Sequence, residues 1–320
     1  MNYRIKKISG DASFREFYRL KKGNKTSIIV QANKNKFKNL IIYAIINKIL
    51  KENKINAPKL ISNHYQNNMI EISDLGEKSF YDKILKKKNK FNYYKNLIKI
   101  IFKLQKINIK KNYHFGKYKI KLQKYSLSNL HKESDLFFDW YLKFYLKTSK
   151  ISKIKRILKK ELNKIFKKLY FKSNTFVHRD FHASNIMINK KAFGLIDSQD
   201  AIIGNPLYDV VSLIDDARIK LPINLQNKLL KFYHLESKLK REKFYNLKND
   251  YDILSVQRNL KILGIFVRLS KRDNKSNYLK YLPHTWSLIN RRLKNPIFKN
   301  FRLLLNQNVK IKKLKKINIL

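Results

Sequence analysis

The sequence predicts an α+β fold with two lobes, a small β-rich lobe at the N-terminus and a larger, mostly helical lobe behind it. The chain has 320 residues, which exceeds the usual size of one compact domain. β-Prone runs concentrate in the first 75 residues and in one later segment, whereas most of the remaining chain carries helical periodicity. We therefore expect domains at residues 1–75 and 76–320, with a cleft between them.

The N-terminal lobe opens with a turn of small or acidic residues, followed by a β-prone run to Leu20 and a further strand at residues 27–31. The residues of the turn are Gly10, Asp11, Ala12 and Ser13. The turn is either an ordinary hairpin connection or a loop whose backbone N–H groups lie over phosphate oxygens. The segment by itself leaves both alternatives open.

The end of the first lobe is predicted from one helix and one strand. Residues 36–50 place apolar side chains on one face at helical spacing. Residues 69–73 then form a strand that ends in a turn at residues 74–76. We take this turn as the hinge between the lobes.

The second lobe is predicted to be helical on either side of a central hairpin. Apolar stripes at residues 94–104 and 154–169 indicate helices within a helical region that extends from about 80 to 172. Asn205 suits an N-cap and Pro206 suits the first helical position. A long helix is expected over residues 256–269.

The strongest motif lies at residues 178–185. His178, Arg179 and Asp180, followed by Asn185, fit the H-R-D-x-x-x-x-N catalytic loop of protein kinases. Singly, the aspartate could cap a turn and the asparagine could form an Asx-turn. Together, at this spacing, they predict a phosphoryl-transfer site. We expect His178 to brace the loop through hydrogen bonds rather than to react.

A hairpin follows the loop. Residues 186–188 and 193–196 are apolar and β-prone, and residues 189–191 supply the turn between them. Such a hairpin brings Asn185 and Asp197 side by side. Amide and carboxylate oxygens suit Mg²⁺ that bridges nucleotide phosphates.

The composition limits the cellular setting of the protein. The chain carries 73 Lys and Arg against 22 Asp and Glu, a net charge of +51, and no Cys. The excess of positive charge is spread along the chain and is mostly Lys beside abundant Asn and Ile, which favours AT-rich coding bias over selected nucleic-acid binding.

No uninterrupted apolar run reaches the roughly 18 residues of a membrane span. The N-terminus lacks the apolar stretch of a signal peptide, so we expect a cytoplasmic protein.

Several motifs in matching order resemble the aminoglycoside phosphotransferase and choline kinase superfamily, which has a protein-kinase-like fold. The match is closest to the bacterial kinases that phosphorylate amino sugars at the anomeric C1 hydroxyl. The motifs lie at residues 10–15, 73–76, 177–185, 197–201, 208–213, 257–266, 268–273 and 278–283.

The resemblance implies that ATP and Mg²⁺ serve the transfer of phosphate to N-acetylmuramate or N-acetylglucosamine in peptidoglycan recycling. It implies that Asp180 accepts or orients the proton of the attacking hydroxyl. Residues 10–13 and Arg15 are the expected nucleotide contacts, and Asn185 and Asp197 the expected metal ligands. We expect Asp209, near the start of a helix, to anchor the backbone of the catalytic loop.

Five residues are candidate sugar contacts. Gln199 and Asp200 follow the expected metal ligand, and Asp200 is alternatively a second acid on the metal side. If the sugar carries a carboxylate, an arginine would give bidentate recognition. Arg179, Arg258 and Arg268 are each candidates for that contact or for a structural salt bridge.

The sequence departs from the pattern of the family at two positions. Gln31 stands where kinase-like folds usually have a phosphate-binding lysine. Lys34, Lys36 or backbone groups near Ser13 are the possible substitutes. Ser198 stands where the sugar kinases usually have an aromatic residue.

Two other functions stay open on the sequence alone. One is a phosphotransferase for another small hydroxylated amine, such as an aminoglycoside or a choline-like compound. The other is a noncatalytic nucleotide-binding or nucleic-acid-binding protein on the same fold, for which Gln31 and the charge argue. Intact Asp180, Asn185 and Asp197 favour catalysis. The expected partner is a small amino sugar, with no membrane and no specific nucleic acid.

Overall fold

The computed structural model describes residues 3–8, 15–33, 38–146, 149–189 and 192–309. The chain divides into two compact units. The first consists of Met1–Gln123 and Thr175–Ile203, and the second of Lys124–Asn174 and Gly204–Leu320. The functional lobes at residues 1–75 and 76–320 stay a prediction.

The first unit contains a five-stranded antiparallel sheet with the strand order β1-β2-β3-β5-β4. Its elements are β1 (Tyr3–Ile8), β2 (Arg15–Lys22), β3 (Lys25–Ala32), the helix α1 (Lys38–Glu52), β4 (Leu60–His64) and β5 (Met69–Ser73). Ile28, Val30 and Ala32 alternate along β3 and pack with Leu40 of α1 and Ile70 of β5 in one apolar cluster. The predicted early strands and first helix are therefore confirmed.

Helices and short hairpins complete the first unit. They are α2 (Phe80–Leu85), α3 (Phe91–Gln105), β6 (Tyr113–Phe115), β7 (Tyr118–Ile120), β8 (Thr175–Val177), β9 (Ile186–Asn189), β10 (Ala192–Leu195) and β11 (Ile202–Gly204). The stripe at residues 94–104 is the buried face of α3, as predicted. The prediction of helix throughout residues 80–172 is wrong at β6 and β7. There Gly116, with φ +54°, turns the chain between two strands rich in aromatic residues.

Helices form the second unit. They are α4 (Leu127–Leu136), α5 (Lys143–Tyr145), α6 (Ile151–Phe166), α7 (Tyr208–Ile214), α8 (Ile223–Glu236), α9 (Phe244–Arg272), α10 (Leu282–Arg292) and α11 (Lys299–Val309). A π-helical segment at residues 137–142 joins α4 to α5. The predicted helix over 256–269 is confirmed as part of α9. Gly264 of α9 meets the end of α4 so closely that a Cβ atom there would lie 2.1 Å from the Leu136 carbonyl oxygen.

The predicted cap at Asn205 is wrong by two residues, because α7 begins at Tyr208. The Asn205 side chain accepts a hydrogen bond from Leu207 N and donates to Phe171 O and the Asp250 carboxylate, so it fixes the turn before the helix. Within the described residues, no helix has both the length and the apolar character needed to cross a membrane.

Candidate active site

The loop between β8 and β9 places the motif residues by local hydrogen bonds. The Asn185 side-chain Nδ2 donates to the Asp180 carbonyl oxygen at 3.1 Å, and His182 N donates to the same oxygen at 2.9 Å. Arg179 adopts φ +75°, which turns the chain sharply at the motif. The loop thus folds back on itself before β9 begins.

The predicted hairpin is present as β9 and β10, with Ile186 paired to Leu195. Ile196 N donates to the Asn185 carbonyl oxygen at 3.0 Å, which sets the residue before Asp197 against Asn185. The structure therefore brings together the two residues that the sequence nominated as metal ligands. Lys190 and Lys191, in the predicted turn, lie outside the described residues.

Asp197 introduces a short 3₁₀ turn, Ser198–Asp200, and itself adopts φ +63°. Gln199 Nε2 donates to Asp197 Oδ1 at 3.1 Å and to Asp200 Oδ2 at 3.0 Å. Ser198 is fully buried, and its hydroxyl donates to Asn47 Oδ1 on α1 at 2.6 Å. A hydrogen bond from Ser198 to α1 therefore holds this turn.

Arg15, the first residue of β2, lies against Asp197. Its Nη2 donates to Asp197 Oδ1 at 2.5 Å, and its Nη1 donates to Gln199 Oε1 at 2.6 Å. The arginine is only 5 % exposed, and its guanidinium lies over the rings of Phe17 and Tyr43. A fixed positive charge thus stands at the carboxylate expected to bind a metal.

Burial dominates the ionisation of the site. It raises the pKa of Asp197, the charge of Arg15 lowers it, and the carboxylates of Asp180 and Asp200 raise it further. Burial lowers the pKa of His178 to about 4, although Asp180 and Asp200 act in the opposite direction. His178 is therefore neutral near pH 7.

A cavity of about 300 Å³ lies within the first unit. Asn185 and Asp197 line it together with apolar side chains and the segment that follows β5. The apolar lining includes Phe17, Ile28, Ile72, Met187 and Ile196. An enclosure of this size, mostly apolar with a few polar groups, suits a small ligand that has both an apolar ring and a charged end.

The donor set around Asn185 and Asp197 fits Mg²⁺. Among the described residues, no hydrogen bond reaches Asn185 Oδ1 or Asp197 Oδ2, and both side chains line the cavity. Asp197 retains 35 % of its side-chain surface. The described part of the chain contains no cluster of three or more acidic or His side chains arranged as a metal site. Two oxygen ligands leave room for phosphate oxygens and waters, which Mg²⁺ usually keeps.

The other predicted site residues divide between the units. Arg179 lies in the first unit, where its Nη1 is 3.7 Å from Asp200 Oδ1. Asp209 is buried in the first turn of α7, and Arg258 and Arg268 lie on α9, all in the second unit. The predicted phosphate loop, residues 10–13, lies outside the described residues, as do Lys34 and Lys36.

Sequence reasoning missed two features of the first unit. Asn47 and Tyr43 of α1 border the site, although neither belongs to the apolar stripe that predicted this helix. Arg19 also lines the cavity and binds the segment that follows β5. Arg15, Phe17 and Arg19 alternate along one strand, and this spacing could have indicated that their side chains share one face at the site.

A profile of the phosphotransferase enzyme family matches residues 4–245. The N-acetylmuramate/N-acetylglucosamine kinase of Pseudomonas aeruginosa is 26 % identical over 279 residues, which cover 86 % of this chain and 79 % of that protein. The Neisseria meningitidis protein of the same name is 24 % identical over 287 residues, covering 88 % and 84 %.

Solved structures share the fold at low identity. A choline/ethanolamine kinase family protein from Mesorhizobium loti superposes with a TM-score of 0.62 at 10 % identity, over 95 % of this chain and 93 % of that chain. Spectinomycin phosphotransferase in complex with ADP and spectinomycin gives 0.62 at 13 % identity, over 90 % and 92 %. The predicted α+β, protein-kinase-like class is therefore confirmed.

Proposed function

The chain belongs to the phosphotransferase enzyme family, and we propose that it transfers the γ-phosphoryl group of ATP to the C1 hydroxyl of an amino sugar. N-acetylmuramate, N-acetylglucosamine or both are the acceptors in this proposal, within peptidoglycan recycling in the cytoplasm. The acceptor is drawn from the two relatives named for these sugars. The bound ADP of the spectinomycin phosphotransferase supports ATP as the donor.

The observation that carries the proposal is the joint position of Asn185 and Asp197 on one cavity, with Arg15 on the carboxylate and Asp180 beside them. Phosphoryl transfer requires positioned oxygen ligands, positive charge and a group that receives a proton. In this proposal the four residues supply all three, and all of them belong to the first unit.

Asp180 is the proposed acceptor of the proton from the attacking hydroxyl. The hydrogen bond from Asn185 to its carbonyl oxygen supports the loop that presents it. Mg²⁺, held by Asn185 and Asp197, would neutralise charge on the phosphates. His178, buried and neutral, is proposed to support this loop without reacting.

Arg15 is proposed to be the cation that contacts the phosphates, in the place of the usual strand lysine. Its hydrogen bonds to Asp197 and Gln199, and the aromatic rings beneath it, fix the guanidinium before any ligand arrives. A preorganised charge stabilises the transition state without further reorganisation. The loop at residues 10–13 stays the proposed cover of the phosphates.

The sugar contacts stay proposals as well. Gln199 and Asp200 lie on the turn after Asp197, and their mutual hydrogen bond orients two polar side chains for hydroxyl groups. Arg179 lies beside Asp200, with Nη1 3.7 Å from Oδ1, and stays a candidate contact for an anionic sugar. Arg258 and Arg268 of α9 remain candidates for a carboxylate on the sugar.

A substrate screen tests the proposal. ATP consumption is measured with N-acetylmuramate, N-acetylglucosamine, choline and aminoglycosides, and the products are examined for an acid-labile 1-phosphate. We expect such a product from at least one of the two amino sugars. Turnover confined to choline or an aminoglycoside would overturn the acceptor but leave the kinase in place.

An Asp180→Asn variant separates catalysis from binding alone. We expect it to bind ATP as the wild type does and to lose at least about 10³-fold in kcat, because the proton acceptor is gone. If the wild type shows no turnover with any acceptor and binds ATP equally with and without Mg²⁺, the protein is a noncatalytic member of the fold.

A further inference from the structure

One face of β2 extends along the cavity from Asp197, the proposed metal ligand, to the segment after β5. Arg15, Phe17 and Arg19 alternate on this face, so the first and last are about 13 Å apart at roughly 3.3 Å per residue. Arg15 binds Asp197, and Phe17 and Arg19 line the cavity. Arg19 therefore lies toward the end of the cavity opposite the phosphate-binding groups.

At that end Arg19 binds residues 73–77, here called the edge segment, all of which line the cavity. Its Nε donates to Asp74 Oδ2 at 2.7 Å, and its Nη1 donates to Glu77 Oε1 at 2.5 Å. Its Nη2 donates to the Gly76 carbonyl oxygen at 3.1 Å and to Asp74 Oδ1 at 3.3 Å. One guanidinium thus holds three residues of the edge segment.

The edge segment is also fixed from within. Gly76 N donates to Asp74 Oδ1 at 2.8 Å, and Gly76 adopts φ +95°, which few other residues tolerate. The Asp74 side chain is only 5 % exposed. Burial raises the pKa of Asp74, but the hydrogen bonds from Arg19 and Gly76 and the charge of Arg19 outweigh it, so the pKa is lowered. Without Arg19 this carboxylate would be a buried, unpaired charge.

The edge segment keeps backbone groups available for a ligand. Among the described residues, neither Leu75 N–H nor the Asp74 carbonyl oxygen has a hydrogen-bond partner. A purine base carries hydrogen-bond acceptors and donors along its edge, and a backbone N–H and a backbone carbonyl oxygen can pair with them. The apolar side chains of Ile28 and Met187 line the same cavity and suit the faces of the ring.

We propose that Arg19 is a positioning residue for the nucleotide: it holds the edge segment in the conformation that receives the base of ATP. The inference rests on the proposed function, since it takes ATP as the ligand. Because Arg19 orders the edge segment before the ligand arrives, the free energy of ordering does not reduce the affinity for ATP. Without Arg19 the segment would become ordered only on binding, and the affinity would fall by that free energy.

Three variants test the inference. Arg19→Met removes the guanidinium but keeps much of the apolar stem, and Arg19→Lys keeps the charge but loses the fork that reaches three residues. Lys7→Met is the matched control, because Lys7 forms an exposed ion pair with Glu16 on the opposite face of β2. The dissociation constant of ATP with Mg²⁺ is measured by calorimetry without sugar, and the inhibition constant of tripolyphosphate is measured in the kinase assay.

We expect Arg19→Met to weaken ATP about tenfold, the change that corresponds to about 1.4 kcal/mol. Arg19→Lys should weaken it about threefold, whereas Lys7→Met should match the wild type. The KM for ATP should follow the dissociation constant, while kcat, the KM for sugar and the inhibition by tripolyphosphate stay within about twofold of the wild type.

Two results would overturn the inference. One is an unchanged ATP dissociation constant in both Arg19 variants. The other is an equal loss for ATP and tripolyphosphate, which would mean that Arg19 acts through its charge on phosphates. If Arg19→Met does not fold, Arg19→Lys decides by the same criteria. Failure of the wild type to bind ATP would instead remove the proposed function, so the two failures are distinguishable.

Discussion

Replacing Arg15 by Met is the most informative single change in the first unit. It removes the hydrogen bonds to Asp197 at 2.5 Å and to Gln199 at 2.6 Å, and leaves a methionine between Phe17 and Tyr43. Methionine fills much of the space of the arginine stem, so the loss of charge is separated from the loss of packing.

Two magnitudes follow from the geometry. Breaking a fully buried ion pair by removing one partner costs about 3–5 kcal/mol of folding stability. Asp197 keeps 35 % of its side-chain surface, so solvation offsets part of that cost and we expect about 2 kcal/mol. Because we propose that Arg15 contacts the phosphates, its removal should lower kcat/KM for ATP on the order of 10²–10³-fold.

The assay combines urea unfolding with steady-state kinetics at saturating sugar. Arg15→Lys should have a higher kcat/KM than Arg15→Met but a lower one than the wild type, because lysine restores the positive charge but not both hydrogen bonds of the guanidinium. Gln31→Lys in the Arg15→Met background is the matched control and should recover nothing. If Arg15→Met keeps kcat/KM within about threefold of the wild type while its stability falls, Arg15 has a structural role only.

Three further changes test other contacts. Gly264→Ala should destabilise the second unit by about 3 kcal/mol in urea unfolding, because its Cβ atom would lie 2.1 Å from the Leu136 carbonyl oxygen; an unchanged midpoint would contradict the close contact. Ser198→Ala leaves a buried Asn47 acceptor without its 2.6 Å donor, so we expect a loss of about 1–2 kcal/mol; a neutral result would make the bond dispensable. The pKa of His178 falls from 6.5 to about 4 on folding. Between these pH values the unfolded chain binds a proton that the folded chain does not, so folding stability declines as the pH falls from 6.5 toward 4. The decline amounts to about 3 kcal/mol, at roughly 1.4 kcal/mol per pH unit. His178→Gln should remove this part of the pH dependence of the unfolding free energy, measured by urea titrations from pH 7 to 4.5. If the unfolding free energy of the variant changes with pH as steeply as that of the wild type, the assignment to His178 is wrong.

The parts of the fold that the sequence predicted correctly are those set by local pattern. The stripe on α3 and the long helix α9 follow from helical spacing alone. The neighbouring positions of Asn185 and Asp197 also follow from local sequence, since a two-stranded hairpin with a short turn leaves little choice of register.

Wrong or missing predictions have identifiable causes. The hairpin of β6 and β7 lies between helices, and each of its strands is only three residues long, so no strand periodicity is visible. Asn205 resembles a cap because its side chain does bond to a backbone N–H, but at the turn before the helix. The contact of Arg15 with Asp197 joins residues 182 positions apart, and no local pattern specifies it.

The register of the sheet explains why position 31 does not supply the cation beside Asp197. Arg15 pairs with Ala32 and Glu16 with Gln31, and directly opposed residues of an antiparallel pair share a face. Gln31 is exposed, whereas Arg15 and Ala32 are buried. A lysine at position 31 would therefore extend from the face of the sheet opposite Asp197. The positive charge beside Asp197 comes from Arg15 on the buried face, so β2 supplies it rather than β3. A nearby positive charge on either strand would stabilise the ionised carboxylate.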